Sequence, residues 1–246
     1  AVSWDTRGRL WVGENFTYER HGTSFDARHR DRILIFKDTD NDHRADERIV
    51  PGSPYGESKY ILERFLYWLD RTDQLRYAAL RYFNVAGCDP SGTIGQSTPK
   101  ATLLVKVACE AATGRRPGVS IFGTDFPTPD GTGLRDYIHV EDLATAHLDA
   151  LAYLRNSGES TVLNCGYGHG YSVRDVLAAV ERVNGKPLSI KEEPRRAGDP
   201  PELIAVADRI REVLGWTPSL DDLDTIVRTS LEWERKIASQ DPSAYW

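Results

Sequence analysis

The sequence predicts an α/β protein, a mostly parallel sheet covered by helices, preceded by a short β-rich segment. Three observations predict it. From Pro51 onward, runs with helical period alternate with short apolar strands. Residues 1–50 instead show the strand, turn, strand spacing of hairpins. With 246 residues and 40% hydrophobic content, the chain is long enough for one large domain or two small ones.

In chain order, Val2-Ser3-Trp4 and Leu10-Trp11-Val12 flank a turn at Gly8, and Arg32 to Phe36 is a further strand. Asp38, Asp40, Asp42 and Asp46 then begin like an oxygen-rich calcium loop. However, His43 stands where the sharp turn wants glycine and no glutamate follows at the twelfth position, so a solvated acidic turn is the better reading. Apart from this weak candidate at Asp38, Asp40 and Asp42, no metal site is expected.

Ser53 ahead of Pro54, with Glu57 in the first turn, opens a helix from Tyr55 to Asp73, whose core stripe is Ile61, Phe65, Leu66 and Leu69. Tyr77 to Phe83 is a strand, and Ala101 to Thr113 a helix ended by Gly114. Val119 to Phe122 is a strand before a Pro/Gly-rich loop, Gly123 to Gly133. Asp142 to Arg155 is helical, Thr161 to Asn164 a strand, and Ser172 to Val183 a capped helix ending near Gly185. Helices Ala207 to Leu214 and Leu220 to Ile237 flank the turn Gly215-Trp216-Thr217-Pro218. No internal repeat is visible.

Net charge −6 argues against a nucleic-acid binder that relies on phosphate contacts. The short clusters Arg115-Arg116 and Arg195-Arg196 suit a small phosphate better. Cys88, Cys109 and Cys165 have no paired spacing, which disfavours a disulfide framework or a zinc site and fits a reducing cytoplasm. No apolar run reaches the ~18 residues of a membrane span, and the N-terminus lacks a signal-peptide pattern.

Tyr55 and Lys59 stand one helical turn apart, so their side chains share a face. A free phenol titrates near 10, and an adjacent ammonium favours the phenolate, which makes the pair a candidate proton-transfer device. Alone, Tyr-x-x-x-Lys is a weak signal, and part of a capped amphipathic helix is the better reading. Gly166-Tyr167-Gly168-His169-Gly170 follows a strand and precedes a helix, as a dinucleotide loop would, but its glycines are spaced two and two where the fingerprint needs two and three. It is read as a turn.

The pair is followed in order by Leu80-Arg81-Tyr82-Phe83-Asn84-Val85-Ala86-Gly87 and by Gly131-Thr132-Gly133-Leu134-Arg135-Asp136-Tyr137-Ile138-His139-Val140. Together these motifs resemble the UDP-glucose 4-epimerases of the extended short-chain dehydrogenase/reductase superfamily, over about residues 51–240, which is the later part of that family's chain. The resemblance implies an incomplete Rossmann-type parallel sheet with a smaller α/β substrate-binding domain, NAD as cofactor, a UDP-sugar as partner and an isomerase of galactose and nucleotide-sugar metabolism. Residues 1–50 resemble, less closely, a blade fragment of β-propeller proteins of the glucose/sorbosone dehydrogenase type.

By this resemblance Tyr55 takes the proton of the sugar 4-hydroxyl, Lys59 supports it and holds the nicotinamide ribose, and Tyr82 lies near the nicotinamide. Asn84 and Arg135 match residues on the nucleotide diphosphate, Phe122 an aromatic beside the uracil, Arg196 a second phosphate arginine and Asp199 a ribose-binding carboxylate. Read without it, Tyr82 is equally an inward strand aromatic, Asn84 a turn residue, and each arginine a surface charge. His139 supports its helix-loop junction. Leu103 stands where the family commonly offers a polar side chain, and Leu203 where some members have tyrosine and others a smaller residue, which leaves room for an N-acetylated UDP-hexosamine. The family's Gly-rich loop, acidic ribose-binding residue and Ser/Thr partner of the tyrosine have no counterpart in residues 1–50. The expectation is therefore that this polypeptide alone neither holds NAD nor epimerises, and that exposed sheet surface favours dimerisation. A dehydratase or decarboxylase of the same superfamily and a non-catalytic UDP-binding remnant remain alternatives.

Overall fold

The computed structural model describes residues 2–4, 10–14, 32–37, 47–49, 54–73, 75–98, 100–196 and 198–239, with side chains from residue 56 on. The chain divides into two compact units, Ala1–Trp68 and Leu69–Trp246.

In the first unit, β1 (Val2–Trp4), β2 (Leu10–Glu14), β3 (Arg32–Lys37) and β4 (Glu47–Ile49) form one antiparallel sheet in sequential order. Val2 stands opposite Val12, Trp11 opposite Ile35, and Ile35 opposite Ile49. The expected hairpin and third strand are present, and β4 is added. Asp38, Asp40 and Asp42 lie outside the described residues.

Helix α1 (Pro54–Arg71) has proline at its first position, where the missing N–H costs nothing, and Glu57 in its first turn. Its expected core stripe is corrected: Ile61 and Phe65 are exposed, while Leu66 and Leu69 are half-buried. Apolar period marks a face that could be covered, and burial requires an element lying over it.

The second unit is the α/β body. The strand expected at 77–83 is β5 (Ala78–Tyr82), and past Phe83 the chain continues in a further strand, β6 (Asn84–Ala86), with a different partner. β7 (Val119–Phe122) follows α2 (Leu104–Ala112). β8 (Leu134–Arg135) and β9 (Tyr137–His139) lead into α3 (Val140–Arg155). Next come β10 (Thr161–Cys165), β11 (Tyr171–Ser172), α4 (Val173–Asn184), β12 (Ile190–Glu193), β13 (Glu202–Leu203), α5 (Asp208–Leu214) and α6 (Leu223–Ala238).

Three pairs are parallel: β5 with β10, β6 with β9 and β7 with β12. In the fourth sheet β8 runs antiparallel to β11 and parallel to β13. The α/β class and the parallel pairing are as the alternation required. Helices α2, α4 and α6 pack on one another, and a single core joins Ile121, Ile138, Leu163, Leu177, Ile226 and Leu231.

Helix boundaries follow capping chemistry. Ser172 and Asp175 form a reciprocal capping box on α4, which ends at Gly185 in the left-handed region (φ +72°). α6 starts at Leu223, not Leu220, because Asp222 caps it by accepting from the Thr225 amide (2.8 Å), while the Leu220 amide donates to Asp142 (2.9 Å). α2 starts at Leu104, three residues later than predicted, leaving residues 101–103 outside the helix.

Candidate functional site

A cleft of about 600 Å³ opens in the second unit. Its walls come from four stretches that are distant in sequence: Asn84 on β6, the start of α2, Phe122 at the end of β7 with Arg135 on β8, and Arg196 with Asp199 before β13. All five residues predicted on the substrate side, Asn84, Phe122, Arg135, Arg196 and Asp199, therefore meet at one place.

Each is set by its element. Asn84 sits on β6 opposite Tyr137, so it is a strand residue, which corrects the turn alternative. Phe122 is 41% exposed, an unusual setting for a large apolar ring, and the Arg196 guanidinium lies 5.0 Å from its centre. Arg196 Nε donates to Asp199 Oδ2 (2.8 Å), and Arg135 Nη1 donates to the Leu134 carbonyl (2.7 Å). Beside the cleft, Arg195 stacks on Phe126 at 4.1 Å and donates to Asp125 (2.5 Å).

Leu103, read from the resemblance as a substrate-side position, does line the cleft, but the helix end it belongs to was not foreseen. Leu103 and Leu104 bring the N-terminus of α2 to the cleft. Leu103 makes no side-chain cap, and the first turn holds no acidic residue, so the positive end of this helix borders the cleft without an internal anion. The signal was legible: Thr102-Leu103-Leu104 opens a helix with none of the usual acidic first-turn chemistry. Two arginines and a bare helix N-terminus suit a diphosphate, and the exposed aromatic offers a planar base a stacking face. Leu203, on β13 opposite Arg135, is exposed and is not part of the cleft wall.

The other predicted residues are placed by the elements that carry them. Tyr55 and Lys59 are on the first two turns of α1, in the first unit; Lys59 is exposed, and the Tyr55 side chain lies outside the described residues. Tyr82, at the end of β5, is 56% exposed, with its ring centre 6.5 Å from that of His147, which corrects the inward-aromatic alternative. Arg115 and Arg116, read as suited to a small phosphate, are already paired with carboxylates of this chain. Arg115 Nη1 donates to the buried Glu234 (2.6 Å), and Arg116 pairs with Glu110.

The Gly166–Gly170 segment is a turn in which the Tyr167 and Gly168 amides are already engaged. Asp136, fully buried, accepts from the amides of Tyr167 (3.0 Å), Gly168 (2.9 Å) and Ala205 (3.3 Å). An internal carboxylate thus fills the place a phosphate would take.

His139, fully buried, is structural. Its Nδ1 accepts from the Glu141 amide (3.1 Å) and so caps α3, leaving the proton on Nε2, 3.0 Å from Thr229 Oγ1. Burial holds this imidazole below its ordinary range, against a smaller upward pull from Asp142. Tyr167 and Asp142 complete the junction with a 2.6 Å hydrogen bond, and Asp142 also accepts from the amides of Ser219 and Leu220 (both 2.9 Å). Burial pushes Cys165 up to about 12 and raises Cys88 and Cys109, so none of the three is a thiolate nucleophile near neutrality. Among the described residues no cluster could hold a metal ion, and no helix is long and apolar enough to cross a membrane.

Known proteins resemble this chain over much of its length. The NAD dependent epimerase/dehydratase family matches residues 36–166, and a domain of unknown function, DUF7133, matches residues 1–50. UDP-glucose 4-epimerase of Azospirillum brasilense is 56% identical over 194 residues, which is 79% of this chain and 56% of that protein. The structure of UDP-glucose-4-epimerase from Stenotrophomonas maltophila with bound NAD and formylated UDP-arabinopyranose superposes with a TM-score of 0.73 at 39% identity, over 77% of this chain and 56% of the other. That from Bifidobacterium longum in complex with NAD+ and UDP gives 0.71 at 37% identity, over 78% and 58%. The chain thus spans a little over half the length of the relatives it matches.

Proposed function

The chain belongs to the NAD dependent epimerase/dehydratase family, and we propose that it carries the UDP-sugar half of a UDP-glucose 4-epimerase, an isomerase that interconverts UDP-glucose and UDP-galactose. The observation that carries this reading is the convergence of Asn84, Phe122, Arg135, Arg196 and Asp199 on one cleft that is closed on another side by an uncapped helix N-terminus.

In this reading Arg135, Arg196 and the α2 N-terminus hold the diphosphate. Phe122 stacks on the base, Asp199 accepts from ribose hydroxyls, and Asn84 bonds the diphosphate from its strand. A guanidinium already stacked at 5.0 Å on Phe122 keeps that edge of the cleft ordered before the ligand arrives, which lowers the entropic cost of binding.

NAD, when bound in such enzymes, supplies a reversible hydride sink. Tyr55, Lys59 and Tyr82 are the residues this chain would turn toward its nicotinamide end, with Tyr55 removing the hydroxyl proton and Lys59 favouring the phenolate. The Gly-rich turn at 166–170 offers no bed for the pyrophosphate end, since its Tyr167 and Gly168 amides are bonded to Asp136. We propose that residues 1–50, which match a different domain, are of separate origin, and that the chain by itself binds UDP without retaining NAD. A cytoplasmic setting accords with three buried, unpaired cysteines.

Titration calorimetry with UDP tests the reading. Measurable UDP affinity should fall about tenfold in Arg135→Ala, the loss of one charge-assisted hydrogen bond. Absence of binding, or binding indifferent to Arg135, would overturn it.

A further inference from the structure

The cleft does not account for a second concentration of positive charge. Four cations, Lys100, Lys106, Arg115 and Arg116, border a separate recess of about 370 Å³. One carboxylate, Glu110, lines it and pairs with Lys106 (3.4 Å) and Arg116; a second, Glu234, lies behind and pairs with Lys106 and Arg115. Both carboxylates are buried, and each is engaged by two cations. Two positive charges are left uncompensated, in a chain whose net charge is −6.

Lys100 and Arg115 are the exposed members, and no ion pair is formed by Lys100 among the described residues. The Lys100 backbone is at φ +54°, a left-handed conformation that lysine seldom adopts. The hydroxyl side chains of Ser97, Thr98 and Thr102 line the same recess. Ammonium, guanidinium and hydroxyl donors around an opening with about two excess positive charges match a tetrahedral, doubly charged oxyanion better than a planar, singly charged carboxylate.

We propose that this recess is a second anion site, separate from the cleft, that takes a phosphate group, either as free phosphate or as the terminal group of a phosphomonoester. The two openings share a wall. Ala101, Thr102 and Arg116 line both, and Arg116 Nη2 donates to the Ala101 carbonyl (2.7 Å). A phosphate in the recess therefore draws on the same guanidinium that orders one side of the cleft, which links the two occupancies. The site stands on its own charges and not on the UDP reading.

The test is calorimetric titration of the full chain, at low ionic strength in phosphate-free buffer, with inorganic phosphate in one arm and glycerol phosphate in the other. Wild type, Lys100→Ala, Thr98→Val and Arg196→Ala are compared. Binding of either anion that weakens about tenfold in Lys100→Ala and more modestly in Thr98→Val, but is unchanged in Arg196→Ala, is the expected result. Equal binding in both arms identifies phosphate itself as the recognised group, and binding in the glycerol phosphate arm alone identifies an organic monoester. No binding of either anion at millimolar concentration overturns the proposal. So does binding that Arg196→Ala removes and Lys100→Ala leaves intact, since the phosphate then sits in the cleft.

Discussion

His139 shows how a residue type is assigned a role by its neighbours. A histidine beside Tyr137 and Asp136 in a motif could pass for a catalytic acid, yet its ring is buried with one nitrogen on a helix amide and the other against Thr229. Gly87 is fixed by the same ring, because a Cβ there would lie 2.4 Å from it, at a backbone φ of +81°. The titration of His139 gives a testable sign. Its folded-state value is depressed by burial, so the unfolded chain binds the proton first as pH falls, and the contribution to stability present at neutral pH is lost below the ordinary histidine range of about 6.5. Protonation would also remove the acceptor that caps α3. The melting temperature gap between wild type and His139→Asn should narrow as pH is lowered from about 7 to 5; a gap independent of pH would show that the ring does not titrate in this window. At this scale motif matches alone singled out Asn84, Phe122, Arg135, Arg196 and Asp199, which line one cleft, whereas the partners of Arg115 and Arg116 were not legible. An arginine reads the same in sequence whether a glutamate 119 residues away is waiting for it or not.

Among the elements, α2 and α6 are joined by charge as well as by apolar packing. Lys106 on α2, buried, is bonded to Glu234 on α6, and Arg115 closes the pair from the loop after α2. Removing one partner leaves a buried ammonium without adequate compensation. Glu234→Ala is expected to cost about 3–5 kcal/mol, read by denaturant unfolding, while the double replacement Lys106→Met with Glu234→Leu should recover most of that loss. Equal destabilisation by both would mean that shape, not charge, is what Glu234 supplies. Helix and strand positions in the second unit were largely written in period and caps: Val119–Phe122 and the end of α5 at Leu214 fall where predicted. The two-residue strands β8, β11 and β13 and the break at Phe83 were not, because each is defined by a partner strand and not by its own apolar pattern. The stripe Ile61 and Phe65 failed for the same reason, since period names a face without supplying its cover.

At the scale of the whole molecule, two units of unlike architecture follow one another, an antiparallel sheet and then a parallel α/β body. The reading of the second unit as a UDP-sugar half predicts that denatured, purified protein releases no NAD, as judged by absorbance and mass. Release in near-equal amount would mean that the pyrophosphate is held by groups other than the 166–170 loop, and would overturn the cofactor part of the proposal. The sequence by itself determined the α/β class and the order of most helices and strands, and it singled out five residues that line one cleft, because period, caps and motif spacing are local properties of the chain. Only the tertiary structure decided that four distant stretches form one cleft, that a bare helix end joins them, that Asp136 occupies the glycine-rich turn, and that Arg115 and Arg116 answer to buried glutamates. Those are pairings across the chain. Their energies depend on distance and burial, which no local pattern encodes.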